Sequence, residues 1–169
     1  MRLTLTPWHW QQICIHAESV YPEECCGLLL GTRDVEEVPE ITVIWPTHNA
    51  WDRGQQDDSQ QQDFAALLEQ TGSPPRSGAR SRNFTLAPVD LLQAQRVARS
   101  QGWNILGIYH SHPDHPAEPS AFDRAIAWEQ YFYLIVSVTT GQVATGRVWQ
   151  LDPTAVFAEL DLQIIPPLT

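Results

Sequence analysis

The 169-residue chain carries 20 Asp and Glu against 10 Lys and Arg, a formal charge of −10, which argues against the basic surface that nucleic-acid binding needs. Hydrophobic residues make up 43% and include seven Trp, so the chain can bury a core without disulfides, and a single domain over 1–169 is expected. Residues 1–10 lack a signal-peptide apolar run, and no stretch approaches the roughly 20 apolar residues of a membrane span. Cys14, Cys25 and Cys26 do not form a disulfide framework, so the expectation is a cytoplasmic protein with no membrane and no nucleic acid as partner.

Thr6-Pro7 followed by Trp8, Ile13, Ala17 and Val20 predicts a helix with Thr6 as N-cap and Pro at the first position, ended by Pro22. Cys25 to Gly31 and Glu40 to Pro46 are short apolar runs and predict two buried strands, with Glu24 at the entrance to the first. Residues 51 to 82, rich in Gln, Asp, Ser, Gly, Arg and Pro, read as a mobile polar insertion. Phe84-Thr85-Leu86 predicts a strand, and Pro88 opens a helix through Ala98 that Gly102 stops.

Asn104 to Tyr109 predicts a strand that delivers His110-Ser111-His112 to the point where strand becomes loop. Pro113, Pro116 and Pro119 then forbid regular structure. Ser120 to Trp128 reads as a helix, Tyr131 to Val138 and Thr145 to Leu151 as strands around the Thr140-Gly141 turn, and the stretch from Ala155 as a last strand.

His110 and His112 stand two apart, so on an extended segment both imidazoles project to the same side. Zinc takes His nitrogen and Asp oxygen, and a catalytic site uses three protein ligands with one position left for water. The third ligand could come from Asp123, Asp114 or Glu118. Residue types do not select among them, because the path of the Pro-rich loop cannot be read from composition.

His110-Ser111-His112-Pro113, followed by Ser120 and Asp123, resembles the His-x-His-Pro and Ser-x-x-Asp signature of the JAMM metalloproteases (MPN-plus, Mov34/Pad1). Glu24-Cys25-Cys26-Gly27 is similar to the family's Glu-x-Cys-Gly segment, and Asn49 and Arg82 to Pro88 resemble the segments before its second helix. The likeness runs from residue 7 to about 150, and the polar insertion at 51 to 82 is the departure.

The resemblance implies an α/β (α+β) domain of cytidine-deaminase-like architecture, with a curved, mostly antiparallel sheet flanked by helices. It also implies one zinc ion per chain on His110, His112 and Asp123, with Glu24 as general base and Ser120 stabilising the oxyanion. Glu23 competes with Glu24, and the family's spacing favours Glu24. Zinc in such a site lowers the pKa of a water toward about 7 and polarises an amide carbonyl. Relatives of this compact type act on the C-terminal Gly-Gly of ubiquitin-like sulfur-carrier proteins, so the tail of a ubiquitin-like or sulfur-carrier protein is the expected substrate. The alternatives are a non-catalytic MPN-type interaction scaffold and a zinc hydrolase of a small-molecule amide.

Taken singly, these residues have plainer readings. His9, His16 and His48 read as structural, and His115 as a surface residue. Ser120 with Asp123 is also a helix-capping pattern, which can coexist with catalysis. An alternating strand points Cys25 and Cys26 to opposite faces, so buried packing is expected for at least one of them, and the Trp residues read chiefly as core and surface anchors, with Trp51 or Trp103 as candidates to line a substrate groove.

Overall fold

The computed structural model describes residues 2–33, 39–51 and 80–166. Seven strands and three helices follow one another in these segments: β1 Arg2–Leu5, α1 Pro7–Val20, β2 Cys26–Thr32, β3 Glu40–Thr47, α2 Pro88–Ser100, β4 Asn104–Pro113, α3 Ala121–Ile126, β5 Phe132–Thr139, β6 Gln142–Leu151 and β7 Phe157–Ile164. The strands close into a barrel in the order β1-β3-β2-β4-β5-β6-β7. Antiparallel ladders join β2 to β3, β2 to β4, β5 to β6 and β6 to β7, while β4–β5, β1–β7 and a single β1–β3 bridge are parallel. The mixed α+β architecture with a curved, mostly antiparallel sheet is thus the one expected.

Strand β2 lies between β3 and β4 and is covered on both faces, which explains its unbroken apolar run. Leu29 faces the main core with Leu3, Leu5, Tyr109 and Leu134, a core that α1 enters through Ile13 and Ala17. Leu28 and Leu30 face the other way, onto Ala94 of α2. Each fully buried Leu contributes about 1.5–3 kcal/mol of transfer free energy, so β2 is a large part of what fixes this end of the sheet. Gly27 is required for a steric reason: a Cβ there would meet the Tyr109 ring and come within 2.6 Å of the Trp45 carbonyl oxygen.

Helix α1 starts as expected, with Pro7 in the first turn and Thr6 Oγ1 accepting from the His9 amide at 3.1 Å. Helix α2 likewise opens on Pro88, and Gly102 at φ +73° reverses the chain after it.

Several expectations need correction. Strand β1 was not anticipated, although Leu3 and Leu5 alternate with exposed or half-buried neighbours; four residues before a strong helix signal are too few to read as a strand. β4 continues through His110, Ser111, His112 and Pro113 instead of stopping at Tyr109, because the parallel ladder to β5 pairs His110 with Ile135 and His112 with Ser137. Phe84 to Leu86 makes only an isolated bridge, Asn49 to Leu86. α3 stops at Ile126, before Trp128. β6 begins at Gln142, directly after Thr140 and Gly141 at φ +50° and +83°, the backbone a two-residue hairpin turn demands.

Of the insertion read at 51 to 82, residues 52–79 lie outside the described residues. Among the described residues no helix is long and apolar enough to cross a membrane.

Candidate metal centre

β4 is an inner strand of the barrel wall, held by β2 on one side and β5 on the other, so its side chains have little freedom to drift. Tyr109 faces the main core, and by alternation His110 and His112 face the opposite side. Ser111 points away from them: its hydroxyl accepts from the Cys25 amide at 2.8 Å, and its own amide donates to the Cys25 carbonyl at 3.1 Å. Those bonds lock the histidine strand to the segment that carries Glu24.

Asp123 arrives from the other direction. Ser120 is the N-cap of α3, its hydroxyl oxygen accepting from the Asp123 amide at 3.2 Å, while the Ser120 amide donates to Asp123 Oδ2 at 2.6 Å. This reciprocal capping box pins the carboxylate to the start of the helix. Asp123 Oδ1 then lies 3.2 Å from His110 Nε2, Asp123 Oδ2 lies 3.5 Å from His112 Nε2, and the two Nε2 atoms are 3.0 Å apart. All three residues are buried, and their ligating atoms lie within 4.8 Å of one another.

The donor set can be tested for fit to a cation. His112 Nδ1 faces the Pro116 carbonyl at 2.9 Å; a carbonyl only accepts, so the ring proton sits on Nδ1 and leaves the Nε2 lone pair bare. That lone pair meets a second imidazole nitrogen and a carboxylate at one spot, which holds more lone pairs than protons to fill them. A divalent cation satisfies the set, and two imidazoles with one carboxylate match the three-ligand pattern of catalytic zinc sites. The Pro116 contact is the kind of outer bond that fixes the tautomer and orientation of a ligating histidine.

The electrostatics agree with mutual attraction inside a closed site. Burial alone would raise the Asp123 pKa, but the His110 and His112 imidazoles outweigh it and hold the carboxyl well below the usual range. The two imidazoles move in opposite directions although they share that carboxylate. Burial pulls His110 down and prevails because the ring is fully enclosed. Burial also pulls on His112, yet Asp123, the Glu24 carboxylate and the Pro116 carbonyl together raise it. His110 is further clamped by Phe84, whose ring stacks on it with centroids 4.4 Å apart and planes 22° from parallel.

Glu24 is 6% exposed and sits in the short link between α1 and β2. Its amide donates to the Arg80 carbonyl at 2.8 Å, and its own carbonyl accepts from Asn49 Nδ2 at 3.1 Å. Glu23 instead turns outward, half exposed, with Arg80 Nη1 at 3.6 Å. The remaining carboxylates weighed for the third ligand also go elsewhere. Asp114 is exposed and accepts from the Tyr21 hydroxyl and the Thr140 amide, while Glu118 is exposed and pairs with Arg147. His115 is exposed.

The other histidines are occupied outside the cluster or open to solvent. His9 Nε2 is 3.2 Å from the Thr42 carbonyl, His16 Nδ1 is 2.8 Å from the Tyr109 hydroxyl, and His48 is exposed. Cys25 and Cys26 are both buried, and burial pushes each thiol up to about 12, so neither offers a thiolate near neutral pH. Trp51 packs edge-on against Phe122 at 5.5 Å, next to Asp123 in the chain, whereas Trp103 lies at the end of β4 remote from the histidines.

The Pro116 carbonyl escapes sequence reasoning, and Asn49 and the segment holding Phe84 are marked by resemblance alone, with no role assigned to the Asn49 amide or the Phe84 ring. Asn49 Nδ2 donates to the carbonyls of Glu24 and Asn83, and its Oδ1 accepts from the amides of Trp51 and Thr85. One side chain therefore uses its full hydrogen-bonding capacity to tie three segments together, the one carrying Glu24 among them. Its place as a polar residue just after an apolar strand was the signal beside the family likeness.

Comparison with known proteins decides the family. Residues 7–152 match the family described as prokaryotic homologs of the JAB domain. The chain belongs to that family. It is 30% identical over 144 residues to a protein named desampylase from Haloferax volcanii, covering 85% of this chain and 79% of that one. A solution structure of a Desulfitobacterium hafniense protein superposes with a TM-score of 0.69 at 25% identity, covering 99% of this chain and 95% of that one. A second, from Salinibacter ruber, gives 0.64 at 32% identity, with 98% and 95% covered.

Proposed function

We propose that this member of the JAB family is a zinc-dependent isopeptidase that hydrolyses an amide bond after the C-terminal Gly-Gly of a ubiquitin-like or sulfur-carrier protein. The observation that carries the proposal is the convergence of His110, His112 and Asp123, with the buried Glu24 close enough for its charge to raise the His112 pKa. The desampylase relative supports a ubiquitin-like modifier as the substrate class.

In this reading His110 and His112 supply Nε2 ligands and Asp123 a carboxylate ligand. A zinc ion held there supplies Lewis acidity, making a water more acidic and an amide carbonyl more electrophilic. Glu24 takes the proton of the attacking water and delivers it to the departing amine, which otherwise leaves poorly. Its clamped backbone limits the range its carboxylate can sweep, so little is lost in orienting it. The Ser120 hydroxyl accepts from the Asp123 amide and keeps its own proton to donate, so it can serve the developing oxyanion without giving up its cap. An extended Gly-Gly tail can be read through its backbone hydrogen bonds, with small pockets for glycine.

The test joins metal analysis to cleavage. The wild type is expected to hold one zinc per chain and to release a reporter fused through Gly-Gly to a carrier protein, with both lost in His112→Ala. Bound zinc with no cleavage of that fusion would exclude the proposed substrate. No zinc in metal-replete wild type would exclude the mechanism. Replacing the penultimate glycine of the tail by a bulky residue is expected to stop cleavage, and unchanged release would remove the Gly-Gly specificity.

A further inference from the structure

We propose that Ser137 of β5 and Trp149 of β6 are positioning residues for the metal centre, holding the loop after β4 so that the Pro116 carbonyl aims at His112. The inference rests on the reading of His110, His112 and Asp123 as metal ligands.

The loop between Pro113 and Ser120 has to fix two things: the acceptor for His112 Nδ1, and the start of α3 where Asp123 stands. Its own backbone is poorly equipped for this. Pro116 and Pro119 have no N–H, so the loop forms no regular ladder; its own backbone gives the Pro116 carbonyl one donor, the Glu118 amide at 2.8 Å, and the flanking His115 and Ala117 carbonyls take theirs from side chains outside the loop. Ser137 Oγ donates to the His115 carbonyl at 2.7 Å, and Trp149 Nε1 donates to the Ala117 carbonyl at 3.0 Å. The carbonyl between them, Pro116, accepts from His112 Nδ1. The two donors thus hold the carbonyls on either side of the one that sets the histidine tautomer.

Their placement in the sheet suits the role. Ser137 is the register partner of His112 in the β4–β5 ladder, so serine and histidine stand side by side on one face of the sheet. Ser137 is buried, Trp149 is half-buried and Ala117 is 1% exposed, while His115 and Pro116 are exposed, so the donors are better shielded than the loop they hold. The plainer reading is that the two donors only satisfy buried carbonyls. That reading predicts a loss of stability with no change in how the folded protein holds metal.

The experiment uses the full chain, with Ser137→Ala, Trp149→Phe and the double variant. Phenylalanine keeps an aromatic ring at 149 and removes only the N–H. Zinc affinity is measured by chelator competition, and the cobalt(II)-substituted proteins are compared by their visible absorption. Loss of outer-shell support weakens metal binding by about 10–100-fold, and that is the expectation for the double variant, with an altered cobalt spectrum. Ser137→Thr, which keeps the hydroxyl, is expected to restore affinity. Should the double variant fail to fold, each single variant is expected to bind zinc several-fold more weakly by the same assay. Affinities and spectra equal to wild type, with only a lower melting temperature, would overturn the proposal. Wild type that takes up no metal would remove the reading of the centre along with this inference; wild type and variants that bind equally would remove the inference alone.

Discussion

The two arms of the His110–His112–Asp123 cluster are built differently. The histidine arm is part of the barrel wall: β4 is laddered on both sides, and its other face contributes Tyr109 to the main core. The aspartate arm is a Pro-rich loop and a six-residue helix, held by a capping box and by side-chain donors from β5 and β6. A strand in a sheet gets its precision from many backbone bonds that any sequence can make. A loop gets it from a few specific side chains, so its geometry is more vulnerable to single substitutions.

The largest expected effect tests whether the two arms act as one centre. His110→Ala and Asp123→Ala are each expected to abolish stoichiometric zinc binding and to lower turnover on the order of 10⁴-fold, since the electrophile and the activated water are lost together. The arms should differ in the metal-free protein. Asp123→Ala also removes one half of the capping box, so a local loss of about 1 kcal/mol is expected from chemical denaturation, confined to amides of the loop and α3 in hydrogen exchange. Global destabilisation by Asp123→Ala, with no local signature, would argue against the contrast drawn between the arms.

The same contrast decides what could be read from the sequence. The histidine pair was legible because a period of two in a strand is a local rule, and even the error over where β4 ends did not disturb it. The carboxylate that meets the histidines was not legible from residue types: Asp114, Glu118 and Asp123 were equivalent candidates until a family likeness ranked them. The difference between them lies in long-range facts, such as the Tyr21 hydroxyl that engages Asp114 and the Arg147 that engages Glu118. Strand β1 was missed for the opposite reason. Its alternation is present, but a four-residue strand is identified by its partner, β7, at the other end of the chain.

Glu24→Gln comes next in size. It removes the proposed proton carrier and leaves the ligands alone, so zinc content should stay at wild-type level while turnover falls about 10²–10⁴-fold. Zinc analysis beside single-turnover cleavage checks both halves. Turnover within a few-fold of wild type would assign the proton transfer to another group.

Asn49→Ala follows, as a test of how the Glu24 segment is held. The change strands the Glu24 and Asn83 carbonyls and the Trp51 and Thr85 amides, which this single side chain now serves. Stranding buried polar groups costs about 1–3 kcal/mol each where water cannot replace the partner, and Asn49 is only half-buried, so about 2 kcal/mol in total is expected from urea unfolding. Asn49→Asp is expected to fall short of wild type as well, because a carboxylate keeps the acceptors and loses both donors. Full stability in the aspartate variant would mean that only the two accepted bonds matter.

The smallest effect belongs to Arg147, and it sharpens what counts as support for the aspartate arm. Arg147 bridges Glu118 of the loop to Glu159 of β7, at 2.7 Å and 2.6 Å, and stacks over Trp149 with its guanidinium carbon 4.6 Å from the ring centroid. On distance alone its bond to Glu118 equals the 2.7 Å bond from Ser137 to the His115 carbonyl. Its contacts are exposed, with partners 61% and 46% accessible, so water and salt replace most of what is lost. Arg147→Gln is therefore expected to cost less than about 1 kcal/mol, to cost less still at high salt, and to leave zinc affinity unchanged. The Ser137 and Trp149 bonds, at 2.7 Å and 3.0 Å, come from a buried and a half-buried donor and end on the two backbone carbonyls that flank Pro116, so they are less open to water and salt than the Arg147 contacts. If Arg147→Gln weakened zinc binding as much as Trp149→Phe, the loop would be held by charge at its rim, and burial would not be the property that makes a contact able to position the site.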